Sequence, residues 1–85
     1  MTRVEKIRAA LAAAFADAEI AVQDDSHLHA GHAGAATGRG HFSVRVVTAA
    51  FEGLSLIARH RAVYAALDSL MQTDIHALAI EARNK

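Results

Sequence analysis

Apolar residues recur at three- and four-residue spacing near the start of the chain and predict a first helix. The residues on this apolar face are Val4, Ile7, Leu11 and Phe15. Thr2 and Glu5 match a capping box, in which two side chains satisfy the free N–H groups at a helix start. We therefore expect a helix that covers a sheet with its apolar face.

Two segments that alternate between apolar and polar positions predict strands on either side of a long loop. In the first, residues 19–23, Ile20 and Val22 alternate with polar or small neighbours. The second covers residues 41–48, and its apolar face carries Phe42, Val44 and Val46. Because sequential strands joined by a loop pair most often in opposite directions, we expect these two to be antiparallel.

The rest of the chain is typical of a helix followed by a third strand. From about Leu54 to Met71, apolar residues return at helical spacing, with His60 in the middle of the stripe. Residues 75–82 predict a strand that is apolar on both faces, which favours a central, covered strand. The small Ala77 and Ala79 would let a helix approach it closely. A helical crossover makes the second and third strands parallel, in the order α-β-β-α-β.

Length and composition restrict the class of protein. The 85 residues predict one domain, and a hydrophobic content of 53% is sufficient for one packed core. No apolar run approaches the ~20 residues that cross a bilayer, and the N-terminus lacks the apolar core of a secretory signal. We therefore expect a cytoplasmic protein with no membrane partner.

Charge and missing residue types exclude several functions. Nine basic and nine acidic residues give a net charge of zero, whereas a nucleic-acid binder usually has a basic excess. The chain has no cysteine, which excludes disulfides, a self-contained thiolate metal site and a cysteine nucleophile. The sequence has no catalytic triad, paired carboxylates or phosphate loop, so we expect no enzymatic activity and no small-molecule substrate.

The loop between the first two strands concentrates histidines. His27, His29 and His32 are spaced i, i+2 and i+5, close to Asp24 and Asp25. Imidazole is the commonest neutral metal ligand in proteins, but this spacing fits no recurrent zinc pattern. Two interpretations stay open: a metal site that a partner completes, or a solvated, mobile loop that binds metal only adventitiously.

Two further histidines lie in the predicted elements. His60 is on the apolar face of the helix, where a histidine is more often structural than a ligand. His76 is near the start of the third strand, and a residue at a strand end next to loops is well placed for a site. Spacing alone does not favour one over the other. Arg59 and Arg61 flank His60 and could meet phosphate or carboxylates, or be solvated.

The segments HFSVRVVTAAFEGLSLIARHRAVYAAL and IHALAI closely resemble the BolA family. The features that carry the resemblance are the F-E-G turn, the R-H-R-x-V-Y run in the helix and the I-H-A-L strand. The resemblance implies a single α+β domain over residues 1–85 with the order α-β-β-α-α-β, related to class II KH domains. It implies a three-stranded mixed sheet with helices on one face, and a short extra helix near Leu54 to Ala58.

The resemblance also implies a function. BolA-like proteins pair with monothiol glutaredoxins and co-ligate a [2Fe–2S] cluster, to which the glutaredoxin cysteine and glutathione also bind. Carried over residue by residue, the strand ligand matches His76 and the loop ligand matches His29, with His32 or His27 as alternates. The isolated chain is expected to hold no cluster, because its own ligands are imidazoles alone.

An alternative role in the family is transcriptional regulation through DNA binding. Bacterial members are described in this role, and the helix-turn-helix-like segment from Phe51 to Leu70 is the candidate surface here. Arg59, Arg61 and Arg45 are the candidate contacts to nucleic acid or to a partner. The zero net charge gives this role little support, but the two roles can coexist.

Overall fold

Helices lie on one face of a three-stranded sheet in the computed structural model, which describes residues 1–26 and 39–85. The elements are α1 Arg3–Ala14, β1 Glu19–Asp24, β2 Gly40–Thr48, a 3₁₀ turn Ala49–Phe51, α2 Leu56–Leu67, α3 Leu70–Thr73 and β3 Ile75–Asn84. This confirms the α+β class and the α-β-β-α-α-β order. The sequence predicts a mobile segment from about Ser26 to Gly40, and this prediction falls mostly on residues 27–38, which lie outside the described residues.

The first helix begins and packs as the sequence predicts. The Thr2 hydroxyl accepts a hydrogen bond from the Glu5 N–H at 3.1 Å, and the Glu5 carboxylate accepts from the Thr2 N–H at 3.5 Å. Ile7 and Leu11 are fully buried against the sheet. The capping box therefore fixes the start of a helix whose apolar face forms part of the core.

The sheet has the order β1-β2-β3. The β1–β2 pair is antiparallel and the β2–β3 pair is parallel, and both pairings confirm the sequence-based expectation. The expectation that the third strand is central is wrong, because β2 lies in the middle and β3 at an edge. The long apolar run of β3 therefore does not indicate cover on both faces.

A β-bulge interrupts the parallel pairing at the start of β3. Gly40 pairs with Ile75, but the next residue of β2, His41, pairs with Ala77. His76 is therefore an extra residue in β3 with no counterpart in β2. Bulges of this kind reorient side chains and are common beside functional sites.

The bulge explains why the sequence assigned the faces of β3 wrongly. Side chains alternate along a strand, so one extra residue exchanges the two faces from that point onwards. Leu78 and Ile80 pack against the core, whereas Ala77 and Ala79 are exposed. No helix of the described chain covers these two alanines. They belong to what we call the open face, the sheet surface away from the helices that carries His41, Ser43, Arg45, Ala77, Ala79 and Glu81.

The extra short helix lies after the long helix and not before it. The expected position near Leu54 to Ala58 is wrong, since α2 begins at Leu56 and Ser55 caps it by accepting from the Ala58 N–H at 3.1 Å. The helix ends at Leu67, and Asp68 has φ +47°. This left-handed residue breaks the predicted long helix and separates α2 from α3.

The apolar stripe predicted for α2 only partly matches its packed face. Val63 and Leu67 are buried, with half-buried alanines at positions 62 and 66 beside them. Leu56 and Ile57 are 63% and 65% exposed, although the sequence placed them on or beside the stripe. The helix packs through Val63 and Leu67 with the two alanines beside them, and the larger apolar side chains of its first turn stay in solvent.

Candidate metal-ligand site at the end of the sheet

Two histidines from neighbouring strands lie side by side at the end of the sheet where β2 and β3 begin. His76 is exposed, and its ring centre is 5.2 Å from that of His41, with a tilt of 48° between the rings. His41 is half-buried and pairs with Ala77, the residue after His76. The bulge therefore places the His76 imidazole directly beside that of His41.

Sequence reasoning did not identify His41 as part of a site. The two histidines are far apart in sequence, and only the parallel pairing of β2 with β3 brings the starts of both strands to one end of the sheet. The available signal was the predicted parallel crossover combined with a histidine near the start of each strand, because His41 is the first residue of one predicted strand and His76 the second residue of the other. The bulge that turns His76 towards His41 had no such signal.

Both ends of the segment 27–38 are tied to this end of the sheet. The Asp25 N–H donates to the His41 carbonyl at 2.8 Å, and the His41 N–H donates to the Ser26 hydroxyl at 3.1 Å. At the other end, the Gly40 N–H donates to the Asp74 carbonyl at 3.0 Å. The chain therefore leaves and re-enters the described structure beside the His41–His76 pair.

The loop histidines of the sequence-based prediction, His27, His29 and His32, lie outside the described residues. Their part in the site therefore stays a prediction.

The pair fits part of a metal site. A bound metal lies about 2.0–2.1 Å from an imidazole nitrogen, so two imidazoles on one tetrahedral ion have ring centres about 5 Å apart. The observed 5.2 Å matches this value. Among residues 1–26 and 39–85, no group of three or more histidine, cysteine, aspartate or glutamate side chains could hold a metal ion. The described part of the chain therefore brings two imidazoles together, with no third side chain that could complete a metal site beside them.

The open face, next to the histidine pair, has two shallow depressions. A depression of about 270 Å³ is lined by Asp25, His41, Phe42, Ala77, Leu78 and Ala79. A larger one of about 470 Å³ continues from Ala79 along the sheet towards Arg45 and Glu81. His41 lines the smaller depression, so the histidine pair borders an open part of the sheet surface.

One acidic residue next to the site, Asp74, links the start of β3 to the first helix. Asp74, just before β3, is bound by Lys6 and Arg3 of α1, with nitrogen–oxygen distances of 3.3 and 3.6 Å. A hydrogen bond from the Thr73 hydroxyl, with further stabilisation from Lys6 and Arg3, lowers the pKa of Asp74. The charged carboxylate therefore links α1 to the start of the strand that carries the exposed histidine.

His60 does not join the His41–His76 pair. It is half-buried on α2, which packs on the opposite side of the sheet from the open face. The structural role that the sequence favours for His60 stays a prediction.

The three arginines proposed as nucleic-acid or partner contacts do not lie on one surface. Arg45 is on the open face, where its Nε lies 2.8 Å from the Glu81 carboxylate. Arg59 is half-buried on α2 and donates to the Leu54 carbonyl at 3.1 Å. Arg61 is exposed. Hydrogen bonds from Arg45 and Arg83 lower the pKa of Glu81, so this carboxylate is charged and occupied.

Comparison with known proteins identifies the family. The family model for BolA-like proteins matches residues 11–85. The chain belongs to the BolA family. It is 40% identical over 82 residues to the chloroplastic protein BOLA1 of Arabidopsis thaliana, covering 92% of this chain and 51% of that protein. It is also 40% identical over 83 residues to a Sinorhizobium protein from the 5′ region of cobS, covering 95% and 89%.

Solved BolA structures share the fold. The BolA domain of SufE1 from Arabidopsis thaliana superimposes with a TM-score of 0.83 at 36% identity, covering 99% of this chain and 93% of that one. A BolA domain thus also occurs within a SufE-like protein. This BolA-family chain spans about half the length of Arabidopsis BOLA1, so the activity of that whole protein is not transferred to it.

Location in the cell stays a prediction. Within the described residues, no helix is long and apolar enough to cross a membrane. Relatives carry the names chloroplastic and chloroplastic/mitochondrial, so the family as a whole does not favour the expected cytoplasm.

Proposed function

We propose that this BolA-family protein is a non-enzymatic partner of a monothiol glutaredoxin and co-ligates a shared [2Fe–2S] cluster. Its role would be in cluster trafficking or in iron regulation. The observation that carries the proposal is the His41–His76 pair, two adjacent imidazoles at the end of the sheet, of which His76 is exposed. A chain without cysteine needs thiolates from a partner, and the glutaredoxin and glutathione supply them.

His76 is the first ligand of the proposed site. It is exposed and held by a strand, and the small side chains of the open face leave room for a partner next to it. Imidazole ligands raise the potential of a [2Fe–2S] cluster relative to thiolates alone. The protein would therefore tune the shared cluster as well as bind it.

The second ligand comes from the loop or from β2. His29 is the loop ligand that the family resemblance implies, with His32 and His27 as alternates. His41 is an additional candidate, because its ring is already at the distance from His76 that two ligands of one iron require. One of these imidazoles would complete the pair that this protein contributes.

The test is co-expression with a monothiol glutaredoxin, followed by co-purification, visible absorption and circular dichroism. The wild-type pair is expected to show a cluster spectrum, and His76→Ala to abolish it. His60→Ala is the matched control, since it removes an imidazole on the other side of the sheet. A wild-type cluster spectrum in His76→Ala would show that the ligand assignment is wrong.

DNA binding is the alternative that gains if the cluster test fails. The formal net charge of zero gives it little support, and Arg45 and Arg59 already have partners within the protein. A salt titration distinguishes the two functions, because phosphate contacts make DNA affinity fall steeply with salt concentration. An affinity for DNA that hardly changes with salt would argue against such contacts.

A further inference from the structure

Asp25 and Ser26, the two residues before the segment 27–38, form hydrogen bonds with the backbone of His41. The register of β1 with β2 ends at Asp24, which pairs with Phe42. One residue further on, the Asp25 N–H donates to the His41 carbonyl at 2.8 Å. The acceptor of the His41 N–H is then a side chain, the Ser26 hydroxyl, at 3.1 Å. A serine thus replaces the backbone acceptor at the point where strand pairing stops.

Gly40 makes room for this serine. A Cβ atom at Gly40 would lie 2.8 Å from the Ser26 hydroxyl and 2.7 Å from the Phe42 ring, closer than real Cβ contacts. The Gly40 N–H also donates to the carbonyl of Asp74, two residues before His76. Contacts at Gly40 therefore connect Ser26 to Asp74, the residue before β3.

A second set of hydrogen bonds holds the turn at Asp24, Asp25 and Ser26 in place. The Asp25 carboxylate accepts from the Gln23 amide at 2.8 Å and from the Ser43 hydroxyl on β2. The Ser26 N–H donates to the Asp24 carboxylate at 2.9 Å. Ser26 is therefore presented to His41 by a turn that is itself held against the open face.

We propose that Ser26 is a positioning residue for the His41–His76 pair, holding the start of β2 so that the two imidazoles stay adjacent. The inference rests on the proposed function for its consequence, which is that the geometry of the shared cluster depends on this hydroxyl. Its physical part concerns the free protein alone. Loss of one hydrogen bond of ordinary strength changes a local opening equilibrium by about fivefold.

The first measurement uses the free protein. In Ser26→Ala, the amide of His41 is expected to exchange with solvent about fivefold faster. The nuclear Overhauser contact between the His41 and His76 rings is expected to weaken, while exchange at Val44 stays unchanged. Ser69→Ala is the matched control, since Ser69 precedes α3 and makes no side-chain cap hydrogen bond. Gly40→Ala adds a methyl group that crowds the Ser26 hydroxyl, so it is also expected to speed exchange of the His41 amide.

The second measurement uses the complex with the glutaredoxin. Ser26→Ala is expected to change the circular dichroism of the cluster, whereas Ser69→Ala leaves it as in the wild type. An unchanged His41 amide and an unchanged ring contact in Ser26→Ala would overturn the positioning role, whatever the complex does. If the wild-type complex holds no cluster, the proposed function fails, and the measurement on the free protein still decides the role of Ser26.

Discussion

At the scale of single residues, His76 and the loop histidines differ in how they are held. His76 is fixed by β3 and exposed by the bulge, and no other histidine of the described strands occupies an equivalent position. The loop supplies three histidines within six residues. A fixed ligand has no substitute, whereas one ligand of a closely spaced group can be replaced by a neighbour.

This difference predicts unequal effects of mutations at the second ligand. His29→Ala is expected to weaken the cluster absorption and shift it, with residual binding through a neighbouring histidine. His29→Cys is expected to retain a cluster with a changed spectrum, because a thiolate then replaces an imidazole on iron. The measurement is visible absorption and circular dichroism of each variant purified with the same glutaredoxin.

His41→Ala in the same series identifies which imidazole serves as second ligand. If His41→Ala removes the cluster and His29→Ala leaves the wild-type spectrum, the second ligand comes from β2. The reverse result assigns it to the loop. A wild-type spectrum in both variants would show that neither His29 nor His41 is needed, and the same measurement on His32→Ala and His27→Ala would then test the two alternates.

His60 is expected to contribute to stability and not to the cluster. It is half-buried on α2, so His60→Ala removes packing and should lower the free energy of unfolding by about 1 kcal/mol. Urea unfolding measures this change, and the cluster spectrum with the glutaredoxin should stay as in the wild type. A lost spectrum together with unchanged stability would make His60 a ligand.

At the scale of elements, the connection between α1 and β1 is linked to the end of β2 by one carboxylate. Asp17 accepts from the Thr48 hydroxyl and from the Ala49 N–H, the latter at 2.9 Å, where the 3₁₀ turn begins. These bonds, the Thr48 hydroxyl first, hold the pKa of Asp17 below its ordinary value of 3.8. The charged form of Asp17 is therefore the one that the folded state favours.

The lowered pKa of Asp17 predicts a pH dependence of stability. Because the folded-state value is lower than the unfolded one, the contribution is complete above about pH 4 and is lost as pH falls through the folded-state pKa. Asp17→Asn is expected to unfold more easily than the wild type at pH 7, with a smaller difference in acid. Urea unfolding at pH 7 and at an acidic pH below the folded-state pKa of Asp17 measures this difference. Glu52→Gln, which changes an exposed carboxylate, is the control. An equal difference at both pH values would contradict the role of the charge.

The elements were predictable wherever local chemistry determines them. The capping box of Thr2 and Glu5 and the alternation in β1 and β2 depend on residues close in sequence, and the structure confirms them. The bulge at His76 arises because Gly40 pairs with Ile75 and His41 with Ala77, residues distant in sequence, so alternation along β3 alone assigned its faces wrongly. The break at Asp68 likewise had no signal in the apolar pattern of the long helix.

In the candidate site, too, one residue could be found from the sequence and the other only from the fold. The family resemblance pointed to His76, and its I-H-A-L motif lies where the structure has the bulge. His41 was missed because its proximity to His76 arises only when β2 and β3 pair in parallel. A ligand pair made across two strands is a property of the sheet, and neither strand carries a sign of it alone.

At the scale of the whole molecule, the supply of ligands determines what the chain can hold by itself. It has no cysteine, and no three ligand side chains converge within residues 1–26 and 39–85. Two imidazoles leave half of a tetrahedral coordination shell empty, and a [2Fe–2S] cluster needs two ligands on each iron. Binding of the cluster is therefore expected to require association with the partner.

The purified chain alone is accordingly expected to be colourless, and to gain visible absorption only together with the glutaredoxin and glutathione. The physical reason is that the thiolates of the partner hold one iron while the imidazoles of this protein hold the other. Anaerobic purification of the chain alone, with iron and sulfide analysis beside the visible spectrum, measures this directly. The glutaredoxin purified alone under the same conditions is the control, since its spectrum must differ from that of the mixed complex. A stoichiometric iron–sulfur cluster in the isolated chain would show that the chain has enough ligands of its own.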